Sequence, residues 1–293
     1  MAQQESLDRA AMHPGSQPYS KDELVNIIME SLDKSTEEET LEFHEVDIST
    51  AWQTIDELER REGPRLHRTT YDSHQKILKL VIRPCIIHDI HFTWFIHQIT
   101  LNPSLIVKEK MDLHIFASPR FENFQAPYTA SHKEPDQCIL PPGKSLPTVV
   151  IESGWSETKQ QLYRDRDLWL KGGVGNIQVV IILKWGADPE RKVRGDIEVY
   201  DLDTLGNIRC ISCEVSGNDL DQPMVYLPNT RKAILPCPPA EIAATQRISL
   251  TKGQLFGPSL FPARNDDAVV DLDMKELREI AAMYILQQGY TPM

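Results

Sequence analysis

Apolar residues Leu24, Ile27, Ile28 and Leu32 fall on one helical face, and Ser20 with Glu23 fits a capping box, so the spacing predicts a helix over 21–33. Trp52, Ile55 and Leu58 recur at threefold spacing and predict a second helix over about 48–62, stopped by Gly63 and Pro64. The polar stretch between them, "KSTEEETLEF", reads as an acidic linker. From 77 the pattern changes: "ILKLVIRP" reads as a strand that Pro84 terminates. In "IIHDIHFTWFIHQITL", Ile87, Ile90, Trp94 and Ile99 lie at helical spacings and predict a helix, although the aromatic and β-branched content also suits a strand.

Further along, "MDLHIFAS" reads as a strand, "PRFENFQAPYTASH" as a long loop and "PDQCILP" as a short strand. "PTVVIES" reads as a buried strand, because its continuous Val and Ile run implies cover on both faces. A helix is predicted over "SETKQQLYRDRDLWLKG", with Ser156 as N-cap and Gly172 and Gly173 as the stop, and then a strand over "IQVVIILKW". Helix, strand, strand, strand, helix, strand is the order of a mixed α/β core. An antiparallel hairpin around "DTLGN", the segment "QRISLTKGQLFG" and a helix over "LDMKELREIAAMYILQQG" follow. The expected organisation is an N-terminal helical extension at 1–64, a core at 65–190, and a β-rich extension at 191–293 whose terminal helix packs on the core.

A chain of 293 residues with 41% hydrophobic and 25% charged residues is ordinary for a globular protein. Its net charge of -12 and pI of about 5.2 count against non-specific coating of nucleic acid, which needs a basic surface. The stretch from Lys159 to Arg194 runs the other way, with eight cations against four acids. Five cysteines, an odd number, and an N-terminus without a basic start and apolar core point to an intracellular, reduced chain, cytoplasmic or nuclear. No apolar run approaches the roughly 18 residues of a membrane span. Cys210 and Cys213 lack the four ligands of a structural zinc site, with only Cys237 downstream, so the cysteines read as small buried hydrophobes.

Two carboxylates stand out. Asp136 begins one strand and Glu152 ends the next, with a Pro-Pro-Gly turn between, so antiparallel pairing brings them to one edge. Two such acids, with waters and phosphate oxygens, suit a hard cation such as Mg²⁺ or Mn²⁺. The bland alternatives are a solvated turn acid at 136 and a helix-leading carboxylate at 152. Other sites are weaker: "VIESGWSET" has the outline of a nucleophile elbow around Ser156, but Thr158 stands where the second Gly belongs. "KGGVGN" follows a helix and precedes a strand, the reverse of a phosphate loop, and reads as a C-cap and turn. His88, His91 and His97 read as packing residues beside Trp94 and Phe95.

The blocks "KEPD" at 133–136, "PTVVIESGWSE" at 147–157, "LYRDRDLWL" at 162–170 and "VVIILKW" at 179–185 resemble the PD-(D/E)XK nuclease superfamily, the restriction-endonuclease-like fold. The resemblance is to fungal and bacterial endonuclease-like proteins with a degenerate version of the motif, and it extends more weakly over about 65–190. It implies a mixed sheet flanked by helices, Asp136 and Glu152 as ligands of Mg²⁺ or Mn²⁺ with the Ser153 carbonyl, and Asp89 as the helix acid that orients metal-bound water. The implied reaction is phosphodiester hydrolysis on DNA or RNA, and many members of the superfamily are homodimers. The superfamily has a Lys two positions after the Glu; here that position is Gly154. Related families move the cation to the following helix, which makes Arg166 the substitute, with Lys159 and Lys184 as other candidates. A catalytically silent relative that uses the fold for binding is the alternative.

Overall fold

A computed structural model describes residues 19–61, 67–82, 85–211, 232–258 and 264–293. The chain divides into two compact units, Met1–Cys85 with Ser118–Glu134, and Ile86–Ala117 with Pro135–Met293.

The smaller unit lays two helices, α1 (Lys21–Lys34) and α2 (Ile48–Arg61), on an antiparallel sheet. Its strands are β1 (Glu39–Phe43), β2 (His67–Asp72), β3 (Ile77–Ile82) and β5 (His132–Lys133), in the order β1-β3-β2-β5. Ser20 caps α1 by accepting from the Glu23 N–H, as its sequence predicts. Asp47 does the same for α2, accepting from the hydroxyl and N–H of Thr50 and the hydroxyl of Ser49, which hold its carboxyl down at about 2. Leu24, Ile28 and Leu32 from α1 and Ala51, Ile55 and Leu58 from α2 close over Phe43, Tyr71, Leu78, Leu80 and Ile82 of the sheet.

Two sequence readings change here. The acidic linker contains strand β1, because Leu41 and Phe43 alternate inward between the glutamates and pair with Leu80 and Leu78. The strand β2 went unread because "HRTTYD" carries its β propensity in Thr69, Thr70 and Tyr71 and not in an aliphatic run. Gly63, Pro64 and Pro84, the expected stops, lie outside the described residues.

The larger unit is built on a mixed sheet whose main path runs β10-β9-β8-β7-β6-β4. These strands are β4 (Ile115–Ala117), β6 (Gln137–Ile139), β7 (Val149–Gly154), β8 (Val179–Ala187), β9 (Lys192–Leu202) and β10 (Ile208–Cys210). Strands β4, β6 and β7 form an antiparallel meander; β7 and β8 are parallel and joined through helix α5 (Lys159–Gly172). Helix α3 (Ile90–Thr100) precedes the meander, and the expected order of helix, three strands, helix and strand holds for this sheet once the short α4 and β5, which belongs to the other sheet, are set aside. Strands β11 (Lys232–Leu235) and β14 (Thr291–Pro292) add to β9, and β12 (Arg247–Thr251) pairs with β13 (Val269–Asp273) as a separate ribbon. Helices α4 (Val107–Asp112), α6 (Ala240–Ala243) and α7 (Lys252–Phe256) are short, and α8 (Met274–Gln287) packs beside α3. Trp94 of α3 donates its indole N–H to the Asp273 carbonyl at the start of α8.

Every residue of β7 is buried, as its Val and Ile run predicts. Successive side chains alternate between α3 and α5: the Ser153 hydroxyl donates to the carbonyl of His88, just ahead of α3, while Glu152 receives the Trp169 indole of α5. The N-cap of α5 is Thr158, not Ser156, because a Thr158–Gln161 capping box closes both ways. Gly173 and Gly175 end that helix and turn the chain, Gly175 at φ +83°. Met111 and Asp112, read as strand, end α4, which leaves β4 only three residues. Of the described cysteines only Cys138 is fully buried, and burial pushes its thiol up to about 12; Cys237 is exposed, against the expectation for it. Cys213 lies outside the described residues, and among those described no helix is long and apolar enough to cross a membrane.

Gly195 of β9 pairs with Trp185 of β8, whose ring lies where a Cβ would stand, 2.4 Å from Cζ3. Gly195→Ala is expected to lower stability by about 1–3 kcal/mol, read from the urea midpoint, because the buried indole has to move.

A candidate acid-pair site at the end of strand β7

Strands β6 and β7 pair Gln137 with Ile151, so Asp136 and Glu152 lie one step further along at the same edge. There the backbone of β6 leaves the ladder and its place is taken by a side chain: the Ser153 N–H donates to Asp136 Oδ2 at 2.6 Å. In an extended strand the carbonyl of the same residue leaves on the same side, which directs the Ser153 oxygen toward Asp136 as well. The backbone register therefore sets positions 136 and 152 opposite one another at this edge.

Their carboxylates are held from different sides. Glu152 is 3% exposed and its Oε1 accepts the Trp169 indole N–H at 2.5 Å. Asp136 is 6% exposed, with Oδ2 3.5 Å from Nε2 of fully buried His88. The other ring nitrogen of His88 is 2.9 Å from Oδ1 of Asp89, so the imidazole stands between two aspartates. Asp89 occupies the N-cap position of α3 with half its side chain exposed. His91 bonds through Nδ1 to the His88 carbonyl, and His97 bonds to Glu276 of α8, so His91 is a packing residue as expected and His97 is an exposed helix-to-helix link.

As ligands for a hard cation the residues fit in kind. Asp136, Glu152 and the Ser153 carbonyl offer oxygen donors from adjacent strands, and the neighbouring Gln137 holds a buried Oε1 that has no partner among the described residues. Among the described residues no group of three or more His, Cys, Asp and Glu is arranged to hold a metal. Two carboxylates completed by carbonyl, water and phosphate oxygens is the pattern of Mg²⁺ rather than of zinc.

The cations expected at this site have other partners. Gly154 is buried, and a Cβ there would lie 2.9 Å from Cδ1 of fully buried Leu162, so any side chain at 154 forces Leu162 to shift. Arg166 forms two hydrogen bonds to Asp167, with its guanidinium over the rings of Tyr163 and Tyr200 at 4.7 and 4.5 Å. Lys159 donates to Glu198, and Lys184 to the carbonyls of Trp155 and Trp185.

Glu198 is the centre of a second cluster that the sequence did not disclose. Register places it on the face of Glu152, two strands away through Ile182. Burial pushes its carboxyl up, but the hydrogen bonds from Tyr200, Lys159 and Tyr163 together with the Lys159 charge outweigh this and leave it lowered. Burial and the same carboxylate push Tyr200 well above the usual phenol range.

A lowered carboxyl stabilises the fold above its ordinary value of 4.5 and loses that contribution as pH falls through the folded value. The melting temperatures of wild type and Glu198→Gln are therefore expected to converge below about pH 4.5, in differential scanning fluorimetry across pH. Gly154→Lys is expected to destabilise by about 1–3 kcal/mol in urea through overpacking against Leu162. No family model, no curated protein and no solved structure matches this chain, so its chemistry rests on these residues alone.

Proposed function

We propose that the chain is a metal-dependent nuclease-like protein that hydrolyses phosphodiester bonds in DNA or RNA on a restriction-endonuclease-like core, α3-β4-β6-β7-α5-β8. The observation that carries this reading is the junction of Asp136 with the Ser153 N–H, which sets an aspartate beside the strand that holds Glu152. The antiparallel meander followed by a helix and a parallel strand supports it, because it gives the mixed sheet with flanking helices that the sequence resemblance implies.

When bound, Mg²⁺ or Mn²⁺ supplies charge stabilisation and a more acidic water. The chain's own part is positional. Asp136 and Glu152 hold the cation; the Ser153 N–H fixes the first, the Trp169 indole fixes the second, and His88 lies against the outer side of Asp136. An arginine guanidinium cannot act as a base, and that of Arg166 already lies over the Tyr163 and Tyr200 rings, so it contributes charge at most. Hydrolysis without the motif lysine is expected to be slower by on the order of 10²–10⁴-fold, the usual contribution of a placed general acid or base.

A second reading, a catalytically silent relative that keeps the fold for binding, is favoured by one specific observation: Gly154 is packed against Leu162 where the lysine would stand.

Calorimetry with Mg²⁺ and Mn²⁺ on wild type, Asp136→Asn and Glu152→Gln, beside a plasmid-nicking assay, tests the proposal. The expected result is cation binding and slow cleavage in wild type, with both lost in either variant. Binding without cleavage supports the silent relative, and no binding by folded wild type overturns the acid-pair site.

A further inference from the structure

The end of the larger sheet at which β7 and β8 finish is unlike the rest of this acidic chain. Register places Gly154 of β7, Lys184 of β8 and Asp196 of β9 in one row, and Gly186 beside Arg194 two rows further along. Alternation puts Lys192, Arg194, Lys184 and Gly186 on the face that also carries Glu152. A Cβ added at Gly186 would meet nothing within 4 Å, so the floor is open there. Lys159, at the start of α5, stands over the same face within 3.7 Å of Asp196.

Beside this row is an aromatic and cationic step. The Trp155 and Tyr290 rings meet edge to face at 5.4 Å, and the Arg191 guanidinium lies over Tyr290 at 4.0 Å. Parallel pairing of Thr291 and Pro292 with Lys192 and Val193 holds the step against β9. Both rings are half-buried, and Arg191, Lys192 and Arg194 are exposed.

The charges are only partly compensated. Lys192 pairs with Glu190, and Lys159 with Glu198 and Asp196. The Asp188 carboxylate caps the N–H groups of Glu190 and Lys192 in the turn. Arg191 donates only to the carbonyls of Gln288 and Gly289, and Arg194 has no carboxylate partner among the described residues. Two arginines with no carboxylate partner among the described residues, beside half-buried rings and an open glycine floor, suit a partner that brings both phosphate charge and flat faces to stack. Single strands offer both, while a duplex hides its base faces. The carboxyl end of parallel strands is also where open α/β sheets take ligands.

We propose that this end of the sheet, formed by Trp155, Lys184, Gly186, Arg191, Arg194 and Tyr290, is a binding surface for single-stranded nucleic acid. It goes beyond the acid-pair reading and needs neither metal nor hydrolysis. Arg191 and Arg194 neutralise phosphates, and the Trp155–Tyr290 step stacks a base.

Fluorescence anisotropy of a labelled oligothymidine and of a duplex of equal length, with the full chain in EDTA over a salt series, tests the surface. The expected result is binding of the single strand that falls with salt. Arg191→Ala/Arg194→Ala should weaken it roughly tenfold or more and reduce the salt slope by about two. Trp155→Ala should weaken it roughly five- to a hundredfold with the slope unchanged, the signature of a lost stack. Because EDTA removes any divalent metal, binding measured there is independent of the acid pair, which separates failure of this surface from failure of that site. The proposal is overturned if folded wild type binds neither probe at low salt, if the duplex binds as tightly as the single strand, or if the double variant, shown folded by circular dichroism, binds like wild type.

Discussion

A carboxylate in a strand buried on both faces has to be satisfied from inside the protein, and Glu152 in β7 imposes that constraint on the larger unit. Its Oε1 takes the Trp169 indole N–H, which fixes how α5 crosses the sheet, and α5 in turn carries β7 into its parallel neighbour β8. The next residue, Ser153, faces the other way and ties the strand to the His88 carbonyl ahead of α3. Two consecutive side chains thus hold a helix to each face, and the N–H between them holds Asp136. The candidate site is a consequence of how a buried polar pair is accommodated.

The same packing explains why position 154 carries no side chain. A lysine at 154 would need the space that Leu162 fills, and α5 cannot withdraw without disturbing the Trp169–Glu152 bond two turns along. The helix instead puts its cations toward β9, where Lys159, Tyr163 and Tyr200 neutralise and bond Glu198 and Arg166 is held between two rings. A buried carboxylate with three donors is fully served, so this second cluster acts as a pin between α5 and β9.

Much of this was legible in the sequence where one physical signal dominated. The continuous Val and Ile run of β7, the capping residues Ser20 and the stop at Gly173, and the "DTLGN" hairpin between β9 and β10 each reappear in place. Signals failed where two competed. Acidic residues masked the inward alternation of Leu41 and Phe43, and Ser156 drew attention from the better box at Thr158 and Gln161. Partners across long sequence distances, such as Trp169 with Glu152 or Tyr200 and Lys159 with Glu198, leave no local pattern because only the fold brings them together. The antiparallel pairing of β6 with β7 was readable because a single turn separates them.

The central claim is that Asp136 and Glu152 form one cation site. Anomalous diffraction from crystals of the protein grown with Mn²⁺ tests it most directly. The account predicts a single strong peak bridging the two carboxylates within coordination distance of the Ser153 carbonyl. Ordered density for both side chains with no peak between them, in crystals whose mother liquor holds the metal in excess, would contradict it.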